Sequence, residues 1–329
     1  MKALDLLCFG ELLIDFVASQ PGQPLAESPR FDKCAGGAPA NVAVGACRLG
    51  ARAAMISCVG NDPFGDFLVR ALDAEGVDTG GIQRASDART TLAFVSVDAD
   101  GERDFTFFRH PGADTRIHCD ATTETLITRS RVFHFGSLSL THPSARAATR
   151  EALDIARRAD VVVSMDPNLR LMLWERPAEA VRAVREALPY ARVVKVSQEE
   201  LFLIADTDDE DEGLRFLHGL GPRLILLTRG GASARLFTPS IDREIPGFPV
   251  RALDATGAGD SFTAAFWAAT FRKGSESLEQ TLSDEAALVA ACRFAHAAAS
   301  LTVQSPGAIP ALPTKSTVEA RLREAPSAS

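Results

Sequence analysis

The stretch Asp254–Asp260, DATGAGD, decides how this sequence is interpreted. Gly257 and Gly259 enclose Ala258 in a turn that leads directly into an apolar helical pattern, SFTAAFWAATF (261–271). Backbone N–H groups at such a helix N-terminus bind anions such as phosphate. The carboxylate of Asp260 would repel a phosphate, so it is either a helix cap or a residue that accepts a proton.

The chain around this turn alternates short apolar runs with helical patterns. Four of these runs are predicted strands: RVFHFG (131–136), DVVVSMD (160–166), RVVKVS (192–197) and RLILLTRG (223–230). A helical pattern follows each of the first three. Strands that alternate with helices predict a mostly parallel sheet with helices on both faces. The runs are apolar almost throughout, as expected of strands buried on both faces.

One segment departs from this alternation. TLAFVSVDADGERDFTFF (91–108) alternates with period two on either side of Asp100-Gly101, a hairpin signal. Extended chain between residues 12 and 36 could pair with it. We therefore predict a single α/β domain over residues 1–329, with a small β lid built from parts of 12–36 and 91–110. An ordinary edge hairpin is the alternative.

Composition limits the classes of partner. The 329 residues are 46 % hydrophobic and 24 % charged, with a formal net charge of −8, which predicts a globular protein and neither a nucleic acid nor a membrane as partner. Asp5 and Glu11 interrupt the apolar N-terminal region, unlike the core of a signal peptide. The six cysteines form no C-x-x-C pair, so we expect reduced thiols and a cytoplasmic location.

A second glycine-rich segment, CAGGAPANVAVGACRLG (34–50), precedes another helical pattern. Gly36 and Gly37 allow a sharp turn or a close approach to a ligand. Asn41 is either the N-cap of the helix or a polar contact to that ligand. The spacing G-x-G-x-x-G is absent, which argues against a dinucleotide-dependent oxidoreductase.

Polar residues also follow the predicted strands, at the sheet edge where α/β proteins bind ligands. Asp166, Asn168 and Arg170 could reach a bound polar molecule there, and Arg170 could clamp phosphate oxygens. A proline-ended strand with a helix cap and a surface arginine is the alternative.

Two later strands end in the same way. Glu200 could organise Mg²⁺ through water, or be an acid favoured by a helix dipole in the first helical turn. Thr228 and Gly230 could line a nucleotide pocket, or simply form a turn.

Together these segments resemble the ribokinase-like (PfkB) family of carbohydrate kinases. The two signatures are GGAPANVAVGACRLG (36–50) and DATGAGDSFTAAF (254–266). Five further segments are most similar to fructokinases and occur along the chain in the order expected for that group: FFRHPGAD, FGSLSL, DPNLRLMLW, KVSQEE and GAIPALP. The resemblance implies a ribokinase-like three-layer sandwich with a mostly parallel central sheet.

The resemblance also implies roles for individual residues. Asp260 would be the general base, and the N–H groups of Gly257, Ala258 and Gly259 would form the anion hole for the transferring phosphoryl group. Arg170 would contact the sugar or the phosphoryl group. The remaining positions are sugar-binding Asp15, Gly36, Gly37, Asn41 and Arg109, nucleotide-binding Ser197, Thr228, Gly230 and His296, Glu200 for Mg²⁺, and Asp254 for K⁺. Ser197 and His296 stand where many relatives have asparagine.

The activity implied is ATP-dependent phosphorylation of D-fructose at its 6-hydroxyl, with ATP and Mg²⁺ required and K⁺ as a candidate. Alternatives are another sugar kinase, for 2-keto-3-deoxygluconate or ribose, and a non-catalytic sugar-binding regulator. The keto-acid would need a cation for its carboxylate, and Arg109 and Arg170 are the candidates. The partners expected are the sugar and ATP, and a homodimer is left open.

Overall fold

The computed structural model describes residues 3–20, 22–97, 103–271 and 278–324. No helix in these ranges is long and apolar enough to cross a membrane. The strands are β1 (Leu4–Phe9), β2 (Leu13–Ala18), β3 (Phe31–Gly36), β4 (Ala53–Gly60), β5 (Asp78–Ala85), β6 (Leu92–Val97), β7 (Arg103–Phe108), β8 (Ser130–Gly136), β9 (Val162–Asp166), β10 (Val193–Ser197), β11 (Leu224–Arg229), β12 (Ser233–Phe237) and β13 (Asp242–Pro246). The helices are α1 (Ala38–Arg48), α2 (Pro63–Ala74), α3 (Ala121–Arg129), α4 (Pro143–Arg158), α5 (Pro177–Ala187), α6 (Gln198–Ala205), α7 (Glu210–Gly219), α8 (Ala258–Phe271), α9 (Leu278–Thr281), α10 (Glu285–Thr302) and α11 (Lys315–Glu324).

The large sheet has nine strands in the order β13-β12-β11-β10-β9-β8-β1-β4-β5. Seven of them, from β11 to β5, pair in parallel, and β12 and β13 continue the sheet in antiparallel pairing. The predicted parallel sheet is confirmed. Because parallel strands share one carboxyl edge, the polar residues after β9, β10 and β11 meet there.

Helices cover both faces of this sheet. Alternate residues of β1 enter two separate cores, Leu6 and Cys8 on one side and Leu7 and Phe9 on the other. Helices α1, α2, α8, α10 and α11 pack on the first side, and α3 to α7 pack on the second. The molecule is therefore the three-layer sandwich that the sequence predicted, with β strands buried on both faces.

A second sheet of four strands has the order β3-β2-β6-β7. Strands β6 and β7 pair antiparallel from Leu92↔Phe108 to Val97↔Arg103, as the period-two pattern predicted. The expected turn at Asp100-Gly101 lies outside the described residues. Strand β2 joins the hairpin by pairing in parallel with β6, so chain from both predicted lid segments forms one sheet.

Candidate active site

A cavity of about 420 Å³ opens at the carboxyl edge of the large sheet. Its walls come from the ends of β9 and β10, the first turns of α1 and α8, and the small sheet, which contributes Asp15 and Phe107. The two glycine-rich segments, far apart in sequence, therefore face each other across one space. Of the residues that the sequence analysis singled out, those lining it are Asp15, Gly37, Asn41, Asp166, Asn168, Arg170, Ser197, Glu200, Gly257, Gly259 and Asp260.

Asp260 lies in the first turn of α8 and is 7 % exposed. Its Oδ2 accepts a hydrogen bond of 2.7 Å from the side-chain amide of Asn41. Asn41 is inside helix α1, whose N-cap is Gly37, so Asn41 is not the helix cap that one reading of the sequence suggested. Asp260 of α8 thus accepts a hydrogen bond from a side chain of a different helix, α1. A residue that only capped its own helix would not need this contact.

The environment of Asp260 favours its protonated form more than water does. Burial raises the pKa of Asp260 to about 6, and the nearby carboxylate of Asp166 acts in the same direction. The Asn41 amide, Lys195 and Arg170 oppose this shift by stabilising the carboxylate. A base with a pKa near neutrality can accept a proton from a hydroxyl during reaction and release it to water afterwards.

The turn before Asp260 needs its glycines. Gly257 has a φ of +75°, and a Cβ there would lie 2.9 Å from the Cβ of Ala308. A Cβ on Gly259 would lie 2.8 Å from Nζ of Lys195. The turn is therefore packed against the chain around Ala308 on one side and against a lysine ammonium on the other.

Gly36 and Gly37 make room for two acids. A Cβ on Gly36 would lie 2.0 Å from Oδ2 of Asp15. Gly37 has a φ of +107°, and a Cβ there would lie 2.4 Å from the carbonyl oxygen of Glu11. Oε1 of Glu11 also accepts the Ala38 N–H at 3.0 Å. Burial raises the pKa of both carboxyls to about 7.

The two candidate arginines have different surroundings. Arg170 lines the cavity, and its positive charge lowers the pKa of both Asp15 and Asp260. Arg109 is 8 % exposed and does not line the cavity. Its guanidinium donates to Asp114 Oδ2 at 2.8 and 2.5 Å, to the Thr141 hydroxyl at 2.7 Å and to the carbonyl of Leu138, which lines the cavity, at 3.2 Å.

Glu200 shows the helix-start geometry that the sequence left open. Its Oε2 accepts the Ser197 N–H at 2.9 Å while Ser197 Oγ accepts the Glu200 N–H at 3.2 Å, a capping box at the start of α6. Its Oε1 accepts the Leu169 N–H at 2.8 Å. The carboxylate thus joins the ends of β9 and β10 and still borders the cavity.

Asp254 joins two loops. Its Oδ1 accepts from the backbone and hydroxyl of Thr256, and its Oδ2 accepts the Gly307 N–H at 2.7 Å. This half-buried carboxylate holds the loop before α8 against the loop that contains Ala308, which also contacts Gly257.

The other predicted nucleotide contacts lie outside the cavity lining. Thr228 and Gly230 are at the end of β11, next to β10 at the same sheet edge. His296 is in α10, 4 % exposed, with its ring edge-on to Phe262 of α8 at 5.3 Å between centroids.

This chain is similar to known proteins over nearly its whole length. The model of the pfkB family of carbohydrate kinases matches residues 3–315. The chain belongs to the pfkB family of carbohydrate kinases. It transfers a phosphoryl group to a hydroxyl acceptor, and the ribokinase-like fold expected from the sequence is confirmed.

Individual relatives cover nearly the whole kinase. A probable fructokinase-4 of Arabidopsis thaliana is 41 % identical over 97 % of this chain and 96 % of its own. The fructokinase of Xylella fastidiosa, solved with bound ATP, superposes with a TM-score of 0.86 and 37 % identity over 97 % of this chain and 98 % of its own. A putative ribokinase II of Escherichia coli, solved with ATP and Mg²⁺, gives a TM-score of 0.85 and 26 % identity over 98 % and 100 %.

Three charged residues that line the kinase's cavity were not predicted as site residues from the sequence, Glu11, Lys195 and Glu199. Lys195 interrupts the apolar strand VVKVS, and Glu11 follows the apolar strand β1 after a single glycine, Gly10. Lysine and glutamate are rarely buried without a partner, so a charge within or beside such a strand was the available signal. Asp166 was considered only as a possible polar contact, and it proves to be the ion-pair partner of Lys195 at 3.1 Å.

Proposed function

We propose that this kinase transfers the γ-phosphoryl group of ATP to the 6-hydroxyl of D-fructose, forming fructose 6-phosphate and ADP. The hydrogen bond between Asn41 and Asp260 carries the proposal, because it places a buried carboxylate of raised pKa beside a helix N-terminus in the cavity. A hydroxyl between this carboxylate and a bound phosphoryl group has its proton acceptor on one side and its electrophile on the other.

In this mechanism Asp260 accepts the proton of the 6-hydroxyl as its oxygen attacks the γ-phosphorus. The P–O bond to the β-phosphate breaks, and its electron pair leaves with ADP. The N–H groups of Gly257, Ala258 and Gly259 stabilise the charge on the phosphoryl oxygens. Phosphoryl transfer depends mainly on such positioning and charge stabilisation.

Sugar recognition is assigned to the wall beside the small sheet. Asp15 accepts hydrogen bonds from sugar hydroxyls, Asn41 contributes its free carbonyl oxygen, and the Gly36-Gly37 turn lets the sugar approach the backbone. Oδ1 of Asn41 is buried and has no hydrogen-bond partner within the described part of the chain. A missing sugar hydroxyl would leave such groups unpaired, which is a large penalty.

ATP is proposed to enter from the β10–β11 side, with Ser197, Thr228 and Gly230 on its path, and buried His296 is proposed to support the nucleotide site from α10 through Phe262. Mg²⁺ fits the residues near Glu200 only through water, since no group of three metal-ligating side chains occurs among the described residues. Glu200 keeps lone pairs beyond its two backbone bonds, and Mg²⁺ ordinarily retains several waters and binds substrate phosphates. Bound there, Mg²⁺ would neutralise phosphate charge.

The K⁺ assignment at Asp254 remains a proposal. The carboxylate joins the two loops that flank the anion hole, so a cation bound beside it would stiffen that turn. Activity of the wild type in K⁺ compared with tetramethylammonium would measure the requirement.

We also propose a cytoplasmic location, which agrees with the six free cysteines. Light scattering after gel filtration would detect a homodimer.

The test is an ADP-release assay on the full chain with D-fructose, D-ribose and 2-keto-3-deoxygluconate. We expect the highest kcat/KM for fructose, with the product converted by phosphoglucose isomerase because the phosphate is on C6. A higher kcat/KM for the keto-acid would overturn the fructose assignment. No ADP release with any sugar would favour the sugar-binding regulator.

A further inference from the structure

Lys195 is a cation buried at the end of an apolar strand. Its neighbours Val194 and Val196 enter the core on the other face of the large sheet, while the lysine side chain, 11 % exposed, borders the active-site cavity. Nζ lies 3.1 Å from Oδ2 of Asp166. The same atom would lie 2.8 Å from a Cβ on Gly259. The ammonium is therefore held against the anion-hole turn.

The charges around the cavity explain why a cation there matters. Glu11, Asp15, Asp166, Glu199, Glu200 and Asp260 all line it. Among the described lining residues, only Arg170 and Lys195 are cations. Burial works against the ammonium form, yet Asp166, Glu200 and Asp260 hold the pKa of Lys195 above its ordinary value. Lys195 thus provides a fixed positive charge where a polyphosphate must approach several carboxylates.

Asp166 keeps the ammonium in place. It is 4 % exposed at the end of β9, and its Oδ1 has no hydrogen-bond partner in the described part of the chain. Its distance to Lys195 is within hydrogen-bonding range, and β9 and β10 are adjacent parallel strands. A long lysine side chain is flexible, so a partner on the next strand defines where its charge lies.

We propose that Lys195 is a catalytic residue whose ammonium donates a hydrogen bond to an oxygen of the γ-phosphoryl group during its transfer. Asp166 is the positioning residue that holds the ammonium. Lys195 moves no proton in this step, since the hydroxyl proton goes to Asp260 and the leaving electron pair goes to ADP. The inference rests on the proposed ATP-dependent function and adds a side chain to the backbone anion hole.

The first test is Lys195→Met, which keeps the length of the side chain and removes its charge. We expect kcat to fall by about 10²–10³-fold, the cost typical of losing one donor to a transition-state oxyanion. Calorimetry should show weaker binding of the non-hydrolysable analogue AMP-PNP and unchanged binding of ADP, because ADP lacks the γ-phosphate. Lys195→Arg should recover part of kcat. An equal loss of affinity for both nucleotides, or none for AMP-PNP, would overturn the contact.

A second comparison separates catalysis from charge balance, since Lys195→Met leaves Asp166 as a buried carboxylate without its counter-ion. The double variant Asp166→Asn, Lys195→Met removes both charges of the pair, and Asp166→Asn, which keeps the ammonium, is its reference for activity. We expect the double variant to have a Tm at least as high as that of either single variant, while its kcat stays at least tenfold below that of Asp166→Asn. Equal kcat in these two variants would make Lys195 a structural counter-ion only.

These outcomes are distinct from failure of the proposed function. If the wild type released no ADP with fructose, the substrate assignment would be wrong. The calorimetric comparison of AMP-PNP with ADP would still test the Lys195 contact, because it needs no turnover.

Discussion

Asp260 shows how one residue's chemistry depends on groups from distant parts of the chain. Its pKa is raised first by burial and limited by the Asn41 amide, which comes from a helix 219 positions earlier. The sequence identified both residues, but not their contact. Nor could it give the shift in pKa, since burial depends on how α1 and α8 pack against each other.

The pH dependence of kcat/KM should follow this carboxyl. A base must be deprotonated to act, so we expect kcat/KM to fall as the pH drops below about 6, where Asp260 becomes protonated. An aspartate of ordinary pKa would place this limb near pH 4. A limb near pH 4 in the measured profile would contradict the environment described here.

Asp260→Asn should remove the base without removing the fold, because the amide can still bond to Asn41. We expect kcat to fall by at least the ~10²–10⁴-fold typical of general acid–base catalysis, with the affinities for ATP and fructose retained. Circular dichroism would confirm folding. Turnover within a few-fold of the wild type would show that another group takes the proton.

Asp15 should show a conflict between binding and stability. Burial raises its pKa to about 7 in the folded state, above about 4 in the unfolded chain, so its charge opposes folding at high pH. Asp15→Asn should therefore unfold at a higher Tm than the wild type at pH 8, and this gain should fade as the pH drops from about 7 to about 4.

The same variant should raise KM for fructose much more than KM for ATP. Asp32→Asn is a matched control, because Asp32 is an exposed acid on the neighbouring strand β3. A Tm gain that is the same at pH 4 and pH 8 would contradict the assigned cause.

At the scale of elements, helices α1 and α8 approach closely because their contact residues are small. A Cβ on Gly45 would lie 2.8 Å from the Cβ of Ala264. This packing brings the side-chain amide nitrogen of Asn41 within 2.7 Å of Oδ2 of Asp260. The small residues of α1 were visible in the sequence, but their partner helix was not, since a small-residue pattern does not identify what packs on it.

Gly45→Ala should push the two helices apart. We expect a loss of about 1–3 kcal/mol in the free energy of unfolding, as for other overpacked cores, together with a lower kcat. Adding Ala264→Gly should restore kcat by relieving the contact. Gly219→Ala in α7 is the control, because its Cβ would meet nothing within 4 Å. Failure of Ala264→Gly to restore kcat would argue against this contact as the cause.

The small sheet should respond to sugar. Asp15 of β2 and Phe107 of β7 line the cavity, so the proposed sugar site borders this sheet. We expect saturating fructose to slow hydrogen exchange in residues 92–97 and 103–108, as lids that exclude water do. Strand β13, at the far edge of the large sheet, is the internal control. Unchanged exchange in the hairpin would argue against a lid.

At the scale of the whole molecule, local patterns predicted the strands, the helices on both faces and the hairpin. They could not predict the order of the strands or the join between the two sheets. Strand β2 pairs in parallel with β6, and this places Ile14 beside Leu92, which lies 78 residues later in the chain. The same limit applies to the site, where Lys195 acquires its partner only because β9 and β10 are neighbours.

The position of β1 between β8 and β4 has a consequence for biosynthesis. Of the described strands, β1 is made first and lies inside the finished sheet, and helix α8, which packs on α1, is made more than two hundred residues after α1. A nascent chain that ends before residue 258 therefore leaves exposed the side of α1 that packs against α8 in the finished fold. Long-range pairing of this kind slows folding and favours aggregation of incomplete chains. We expect such chains to depend on chaperones until α8 has emerged.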